Sequence, residues 1–469
     1  MSSTVEHSVK VGRCQVLNWS QFDRWVPIDH GLTSNELDTG WKWVPMHELV
    51  RQIDGREAID EKCNYDLAGI RLDGHGIYHR ESVLGGETSA TYLSQLRPGA
   101  FIYGRLFAWR GAFASVKEEH AGLWCSNEFP QFEIDSTRID ADYLVRFMLH
   151  PSTLERVGKS SVGTAAMSRN RFKEVEFLNL VVPLPPLATQ RSIVAHWQAG
   201  MQQAAALEAK AKKLVEEAQA GFVEALGIKA ATMGLPTGRA FAVDWTDLSS
   251  WHGGSNLKRL AMGDVRHGRF PVMRGDECLV SISHGCSASP VTTPTGLEVL
   301  PISAVTKGFL DLSKRKNIPD RPALRDTYSL RTGDVLMCRT NGTLAYVGMS
   351  ALVEEDHPDL IFPDKVIRVR PKPTLRPDYL WLLLHTPPLR AQIEAASRTA
   401  VGNYAIGGKD IWSFEFPVPP MEVQAKLTKQ VLTARQESEK QRGEADELRR
   451  KTKAEVEGMV MGTASRQRA

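Results

Sequence analysis

The chain repeats itself at an interval of half its own length. The stretch VPLPPLATQRSIV (182–194) returns as FPVPPMEVQAKLTKQV (416–431). Gln190 and Gln424, one in each copy, lie 234 positions apart in a chain of 469 residues. A duplication constrains the fold more than any local pattern, because each copy must form the same kind of structural unit.

Further segments match in the same order in both halves. LRPGAFIYGR (96–105) corresponds to LRTGDVLMCR (330–339), and ADYLVRFMLH (141–150) corresponds to PDYLWLLLH (377–385). Each half mixes short β-rich runs, such as AFIYGRLFAW and DKVIRVRP, with one of these helical stretches and with Gly, Pro and Asn turn signals. The sequence predicts an α+β fold with two mixed α/β globular domains.

A long helical run follows each Pro-Pro pair, with predicted bounds of 186–226 and 420–461. Small and apolar residues recur in both runs at alternating intervals of four and three, which is typical of a coiled-coil seam. In the first run these residues are Ile193, Trp197, Gly200, Ala204, Leu207, Ala211, Leu214, Ala218, Gly221 and Ala225. In the second run the corresponding positions are Leu427, Val431, Ala434, Ser438, Gln441, Ala445, Leu448, Thr452, Glu455 and Met459, of which Gln441 and Glu455 are polar and weaken the stripe toward its end.

The length of the two helices indicates that they pair with each other. About 40 residues at 1.5 Å each form a rod of roughly 60 Å, longer than a small domain can cover. Chain order makes the pair antiparallel and predicts a pseudo-twofold dumbbell with one domain at each end. The predicted boundaries are a first domain at 1–184, a helix at 185–227, a linker at 228–240, a second domain at 241–418, a helix at 419–462 and a tail at 463–469.

The composition of the chain limits its expected cellular location and the kinds of site that it can carry. The six cysteines show no CxxC or Cys/His spacing, so we expect no disulfide framework and no metal site. No signal segment and no apolar run of membrane-spanning length is present, which predicts a cytoplasmic protein without membrane contact. The net charge of +3 does not by itself indicate nucleic acid.

Signatures of catalysis are missing from the sequence. It contains no NPPY or FxGxG methyltransferase signature, no Walker A motif and no HExxH. VGKSS (157–161) fails as a P-loop, because Thr153 stands where the first glycine is required. Asp54, Asp60 and Lys62 resemble a nuclease triad only superficially, since no second metal-ligand cluster supports them. We therefore expect no catalytic residue.

Polar residues near turns form the candidate binding site. CRTNGT (338–343) places a guanidinium, a hydroxyl and an amide beside a glycine, groups that bond to base edges or phosphates; an ordinary polar turn is the alternative. The corresponding GRLFAWRG (104–111) and the later pair MSRNRFK (167–173) and YAIGGKD (404–410) also carry basic or amide groups. The candidate residues are Arg105, Arg110, Arg169, Asn170, Arg171, Arg339, Thr340, Asn341, Asn403, Tyr404 and Lys409.

The ordered set GDVLMCRTNGTLAYVG, VGNYAI and FPVPPMEVQ, with its looser copy in the first half, resembles the specificity subunit of type I restriction-modification systems. The resemblance spans nearly the whole chain. It implies two target-recognition domains that read an asymmetric, bipartite site on double-stranded DNA, and two antiparallel helices that set the gap between half-sites. It also implies that Pro185, Pro186, Gln190, Pro419, Pro420 and Gln424 mark conserved helix starts that contact other subunits.

The same resemblance implies which subunits bind this chain and that the catalytic steps take place in those subunits. Two methyltransferase subunits dock on such a chain, and restriction subunits that translocate and cut DNA join them. S-adenosylmethionine, ATP and Mg²⁺ are then expected only in those subunits, with no cofactor on this chain. The alternative interpretation is a non-catalytic coiled-coil adaptor whose globular ends bind protein.

Overall fold

The computed structural model describes four stretches of the chain, which are residues 41–161, 171–229, 261–400 and 402–463. These residues divide into two compact units. The described residues up to Ala204 and those from Asp446 onward form unit 1, and the described residues of Ala205–Ala445 form unit 2. The start of the predicted first domain, most of the predicted linker 228–240, the start of the predicted second domain and most of the tail lie outside the described residues.

Unit 1 contains three sheets and the helices between them. Its strands are β1 (Lys42–Pro45), β2 (Val50–Gln52), β3 (Arg56–Ala58), β4 (Asn64–Ile70), β5 (Ile77–Leu84), β6 (Tyr92–Gln95), β7 (Phe101–Tyr103), β8 (Phe113–Ser115), β9 (Trp124–Cys125), β10 (Gln131–Ile134) and β11 (Val181–Leu184). Its helices are α1 (Ala141–Met148), α2 (Pro151–Ser160), α3 (Glu174–Leu178) and the first part of α4 (Leu187–Ala225). The strand orders are β1-β11, β2-β10-β7-β8 and β3-β6-β9-β4-β5.

Unit 2 follows the same plan. Its strands are β12 (Val272–Arg274), β13 (Leu279–His284), β14 (Glu298–Val299), β15 (Lys316–Asn317), β16 (Val335–Cys338), β17 (Thr340–Asn341), β18 (Ser350–Leu352), β19 (Leu360–Ile361), β20 (Val366–Pro371), β21 (Arg398–Ala400), β22 (Asn403–Ala405) and β23 (Glu415–Pro417). Its helices are α5 (Gly275–Cys278), α6 (Pro322–Tyr328), α7 (Pro377–Leu384), α8 (Pro387–Ala396), α9 (Gly408–Trp412) and most of α10 (Met421–Val460). The strand orders are β12-β23, β13-β20-β16-β18, β15-β14-β19 and β17-β22-β21.

The duplication seen in the sequence is a duplication of topology. The four-stranded sheets β2-β10-β7-β8 and β13-β20-β16-β18 have the same order, and each unit also pairs its first strand with the strand before its long helix. Both β7 and β16 are buried along their whole length, as expected for central strands whose two faces are covered. The predicted α+β class is confirmed. No helix among the described residues is both long and apolar enough to cross a membrane.

A buried tyrosine ties each globular core to the strand that leads into the long helix. Tyr143 on α1 donates its hydroxyl to the carbonyl of Pro183 at 2.8 Å, and Tyr379 on α7 donates to the carbonyl of Pro417 at 2.9 Å. Both rings are fully buried, so their hydroxyls need such partners. Because the two tyrosines come from the matching DYL segments, the repeat preserves a hydrogen bond as well as a helix.

The repeated glutamines fix the start of each long helix. Gln190 is fully buried; its amide nitrogen donates to the carbonyls of Arg138 and Pro185, both at 2.8 Å, and its amide oxygen accepts from the N–H of Asp140 at 2.8 Å. These contacts join the first turn of α4 to the loop before α1. They explain why a glutamine follows each Pro-Pro pair.

Gln424 makes the matching set of bonds in unit 2. Its amide nitrogen donates to the carbonyls of Thr374 and Pro419 at 2.9 and 2.8 Å, and its amide oxygen accepts from the N–H of Arg376 at 2.9 Å. In both units the first proline of the pair is buried and the second, Pro186 or Pro420, is exposed. The predicted subunit contact at the helix starts stays a prediction, and the exposed prolines, unlike the buried glutamines, are accessible for it.

The long helices α4 and α10 pack side by side within each unit. In unit 1, His196 contacts Glu455 at 2.8 Å, and a Cβ at Gly200 would overlap the side chain of Thr452. Residue numbers that rise on one helix and fall on the other show an antiparallel pair. In unit 2, Phe222 lies in one apolar cluster with residues from the first part of α10.

The predicted seam is confirmed with one shift. Most of its positions in α10 are buried, including the polar Gln441, and Glu455 is compensated by the His196 imidazole. Near the end of α4, however, Gly221 is exposed and Phe222 is buried in its place. A straight helix has 3.6 residues per turn, whereas the heptad pattern assumes 3.5. Positions predicted from the heptad therefore drift off the buried face over several turns.

We expect Gln190→Ala to lower the free energy of unfolding by roughly 3 kcal/mol, because two buried carbonyls and one buried N–H lose their partner. The measurement is urea denaturation of the full chain. Gln202→Ala, an exposed glutamine on the same helix, is the matched control and should change stability by less than about 0.5 kcal/mol. Equal effects of the two substitutions would contradict the role assigned to the buried amide.

Candidate nucleic-acid interface

Unit 2 brings two of the predicted segments together in one small sheet. Strand β17 (Thr340–Asn341) pairs with β22 (Asn403–Ala405), so that Asn341 lies opposite Tyr404. The adjoining backbone is also tied, because Ile406 donates its N–H to the carbonyl of Arg339 at 3.0 Å. Residues separated by about sixty positions in the sequence therefore form one polar surface.

The local sequence explains how this surface is presented. The buried strand β16 ends at Cys338, and the chain then turns at Gly342, with the Asn341 side chain accepting from the N–H of Thr343 at 3.0 Å. This Asn turn fixes the loop through the side chain itself. Asn403 is exposed, while Thr340 and Tyr404 are half-buried. The segment thus offers amide, hydroxyl and phenol groups from a rigid support.

Arg339 carries an uncompensated positive charge within this surface. It is half-buried, its Nη1 donates to the carbonyl of Asp364 at 3.4 Å, and its Nε is buried without a partner. No ion pair joins Arg339 to a carboxylate in the part of the chain that the structure describes. Burial, reinforced by the charge of Arg339, lowers the pKa of His284 at the end of β13, so this imidazole is neutral at pH 7. The Arg339 guanidinium therefore keeps a positive charge that no carboxylate of the described residues neutralises.

Two further cations lie on the elements around this sheet. Lys409 is exposed on α9, which packs against β13. Arg398 on β21 is 83% exposed and contacts Asp410 at 3.4 Å. Sequence reasoning identified Lys409 but missed Arg398, which becomes a neighbour of the predicted residues only through the pairing of β21 with β22.

On the corresponding surface of unit 1, carboxylates neutralise the positive charges of the arginines. Arg105 forms an ion pair with Glu174, and Arg171 contacts Glu128 at 3.0 Å. The two pairs are adjacent, because the N–H of Phe172 donates to the carbonyl of Arg105 at 3.0 Å. The structure therefore brings Arg105 and Arg171 together, as the sequence predicted for one site, but neither guanidinium is free.

One position of the repeat accounts for this difference. Helix α3 begins at Glu174 and helix α9 begins at Gly408, 234 positions later, the interval that also relates Arg105 to Arg339. The residue that supplies a carboxylate in unit 1 is thus a glycine in unit 2. Sequence reasoning missed Glu174, although the repeat register marks it as a site where the two copies differ in charge.

The remaining predicted site residues of unit 1 are Arg110, Arg169 and Asn170. Arg110 is exposed, and its guanidinium lies 5.9 Å from the centre of the Trp109 ring. Arg169 and Asn170 lie outside the described residues. Among the residues that are described, no group of three or more His, Cys, Asp or Glu side chains is arranged to hold a metal ion.

Comparisons with known proteins agree with the resemblance seen in the sequence. No protein-family model matches the chain. The type I restriction enzyme EcoKI specificity subunit of Escherichia coli (strain K12) is 25% identical over 281 residues, which are 60% of this chain and 56% of that protein. The chain thus matches over about half the length of this curated relative. The predicted resemblance to type I specificity subunits is confirmed.

The chain is similar to solved structures, one of which shows the same fold. A chain from a study of complex assembly and conformational transition of the type I R-M system is 19% identical, with a TM-score of 0.58, covering 91% of this chain and 99% of that one. The HsdS subunit from Thermoanaerobacter tengcongensis is 18% identical, with a TM-score of 0.46, covering 93% and 100%. The first likeness confirms two mixed α/β units with paired long helices as the fold.

Proposed function

We propose that this chain is the DNA sequence-recognition subunit of a type I restriction-modification complex. In this role unit 1 and unit 2 each read one half of an asymmetric, bipartite site on double-stranded DNA. The observation that carries the proposal is the recurrence of an arginine, Arg105 or Arg339, just after matching central strands and near matching short helices, in a chain similar to a type I specificity subunit.

The chain contributes recognition and no catalysis in this proposal. Two methyltransferase subunits dock on it and carry S-adenosylmethionine, while restriction subunits supply the ATP- and Mg²⁺-dependent steps. The predicted recognition domains are 1–184 and 241–418, and α4 with α10 sets the gap between the half-sites. The rival function, a protein-binding adaptor, predicts weak DNA binding with no dependence on sequence.

Co-expression tests this function directly. We expect the chain to co-purify with methyltransferase subunits from its own genome and to direct modification to a split, asymmetric motif in a host free of other modification systems. The measurement is sequencing that maps modified bases, with the methyltransferase subunits expressed alone as the control. A host genome that is unmodified despite a soluble complex would argue for the adaptor.

Arg339→Ala should weaken binding through one half-site only. Since Arg339 has no carboxylate partner among the described residues, it can donate to a guanine edge, and its loss should cost about 1–3 kcal/mol and relax specificity at one position. Arg105→Ala, which breaks an existing ion pair, should have a smaller effect on affinity. The measurement is binding of the complex to duplexes altered in one half-site at a time.

Arg321→Ala is the matched control, since Arg321 is an exposed arginine of unit 2 outside the predicted site. An equal loss on all sequences, with the salt slope reduced by about one, would identify Arg339 as a phosphate contact instead of a base reader. No loss on any sequence would remove it from the interface.

Matched insertions test the role of the helices. Seven residues added to both α4 and α10 lengthen the pair by roughly 10 Å, which corresponds to about three base pairs of DNA. We expect the gap of the modified motif to grow by that amount, whereas insertion into α4 alone should disrupt pairing and abolish modification. A motif with an unchanged gap after matched insertion would contradict a measuring role.

A further inference from the structure

Two exposed apolar residues closely follow the two members of the unit 1 ion pair in the sequence. Phe107, in the loop between β7 and β8, is 47% exposed, and Val175, in α3, is 65% exposed. They follow Arg105 and Glu174 by two residues and one residue, respectively. A single exposed apolar side chain is ordinary on a protein surface. Two of them beside one predicted reading residue call for a ligand with an apolar group.

The repeat places polar residues of unit 2 at these two positions, although the same loop of unit 2 exposes Tyr346 further along. At the interval of 234, Phe107 corresponds to Asn341 and Val175 corresponds to Lys409. Asn341 belongs to the small sheet of unit 2, and Lys409 is exposed beside it. Equivalent places on the two units therefore offer apolar contact in one case and hydrogen bonds or charge in the other.

The loop that carries Phe107 is held by its own backbone. The N–H of Phe107 donates to the carbonyl of Gly104 at 3.1 Å, and its carbonyl accepts from the N–H of Ala112 at 3.2 Å. Gly111 closes the loop with a φ of 75°, a conformation that favours glycine. The ring of Phe107 thus projects from a fixed backbone, which reduces the entropy lost when it packs against a ligand.

The same loop supplies a cation for a neighbouring phosphate. Because Glu174 compensates Arg105, the exposed charge of this loop is Arg110, stacked beside Trp109. An apolar group next to a free guanidinium suits a DNA groove, where base edges and phosphates alternate within a few ångströms. In the major groove, the apolar group that distinguishes one base from the others is the 5-methyl group of thymine.

We propose that Phe107 is a specificity-determining residue of unit 1, which packs against the 5-methyl group of a thymine in the half-site that unit 1 reads. Arg110 contacts a phosphate beside it. This inference rests on the proposed function and adds to it the kind of base that unit 1 recognises. It follows that the two units contact DNA by different chemistry at this equivalent position, through the Phe107 ring in unit 1 and the Asn341 amide in unit 2.

The test combines a change in the protein with the removal of one methyl group from the DNA. The complex of this chain with its methyltransferase subunits is bound to duplexes in which each thymine of the mapped half-site, on either strand, is replaced in turn by uracil. At one position we expect uracil to weaken binding of the unchanged protein about fourfold, the factor for burying one methyl-sized group. Phe107→Ala and Phe107→Leu should reduce or abolish the preference for thymine there.

The matched control is Phe309→Ala, which removes another exposed phenylalanine, located in unit 2, and should keep the full thymine preference. Sequence-specific binding in which no thymine shows coupling to Phe107, or a unit 1 half-site without thymine, would overturn the inference and leave the proposed function standing. Loss of methyltransferase co-purification in Phe107→Ala, with thymine preference intact, would assign Phe107 to a protein contact. Binding without any sequence preference would overturn the proposed function itself.

Discussion

The buried glutamine at the start of each long helix is the constraint on which the other features depend. Its amide satisfies two carbonyls and one N–H from two parts of the chain, and a buried amide cannot be left half-paired without a large loss of stability. The bonds fix α4 against the loop before α1 and, through Gln424, α10 against the loop before α7. The strand and short helix that precede each Pro-Pro pair are held in the same frame, and they border the candidate interface.

Because the hydrogen bonds that hold each long helix are the same in both units, the surface residues of the two units can differ. Glu174 and Gly408 begin matching short helices, and this one difference leaves Arg105 paired and the equivalent Arg339 without a carboxylate among the described residues. Carboxylates beside the arginines of unit 1 repel DNA phosphates, so they disfavour sequence-independent DNA binding. Under the proposed function, the Arg339 charge of unit 2, which no carboxylate of the described residues neutralises, favours contact with any DNA. The same fold thus supports two surfaces with different balances of affinity and discrimination.

The repeat interval made much of the fold predictable from the sequence. It located the Pro-Pro pairs and glutamines, and the periodicity gave the long helices to within one residue at each end. It could not give the pairing of β17 with β22, because short strands of two or three residues carry too little pattern to show their partners. The Arg105–Glu174 pair was missed for a related reason: the two residues are 69 positions apart and meet only through the tertiary fold.

The electrostatics bear on how such a chain would find a target. A net charge of +3 and compensated arginines in unit 1 give little of the long-range attraction that drives sequence-independent binding. Under the proposed function, recognition depends on contacts that only the correct bases provide, or on positive charge from partner subunits. Both sources of binding are consistent with the proposal that the chain selects DNA as part of a complex.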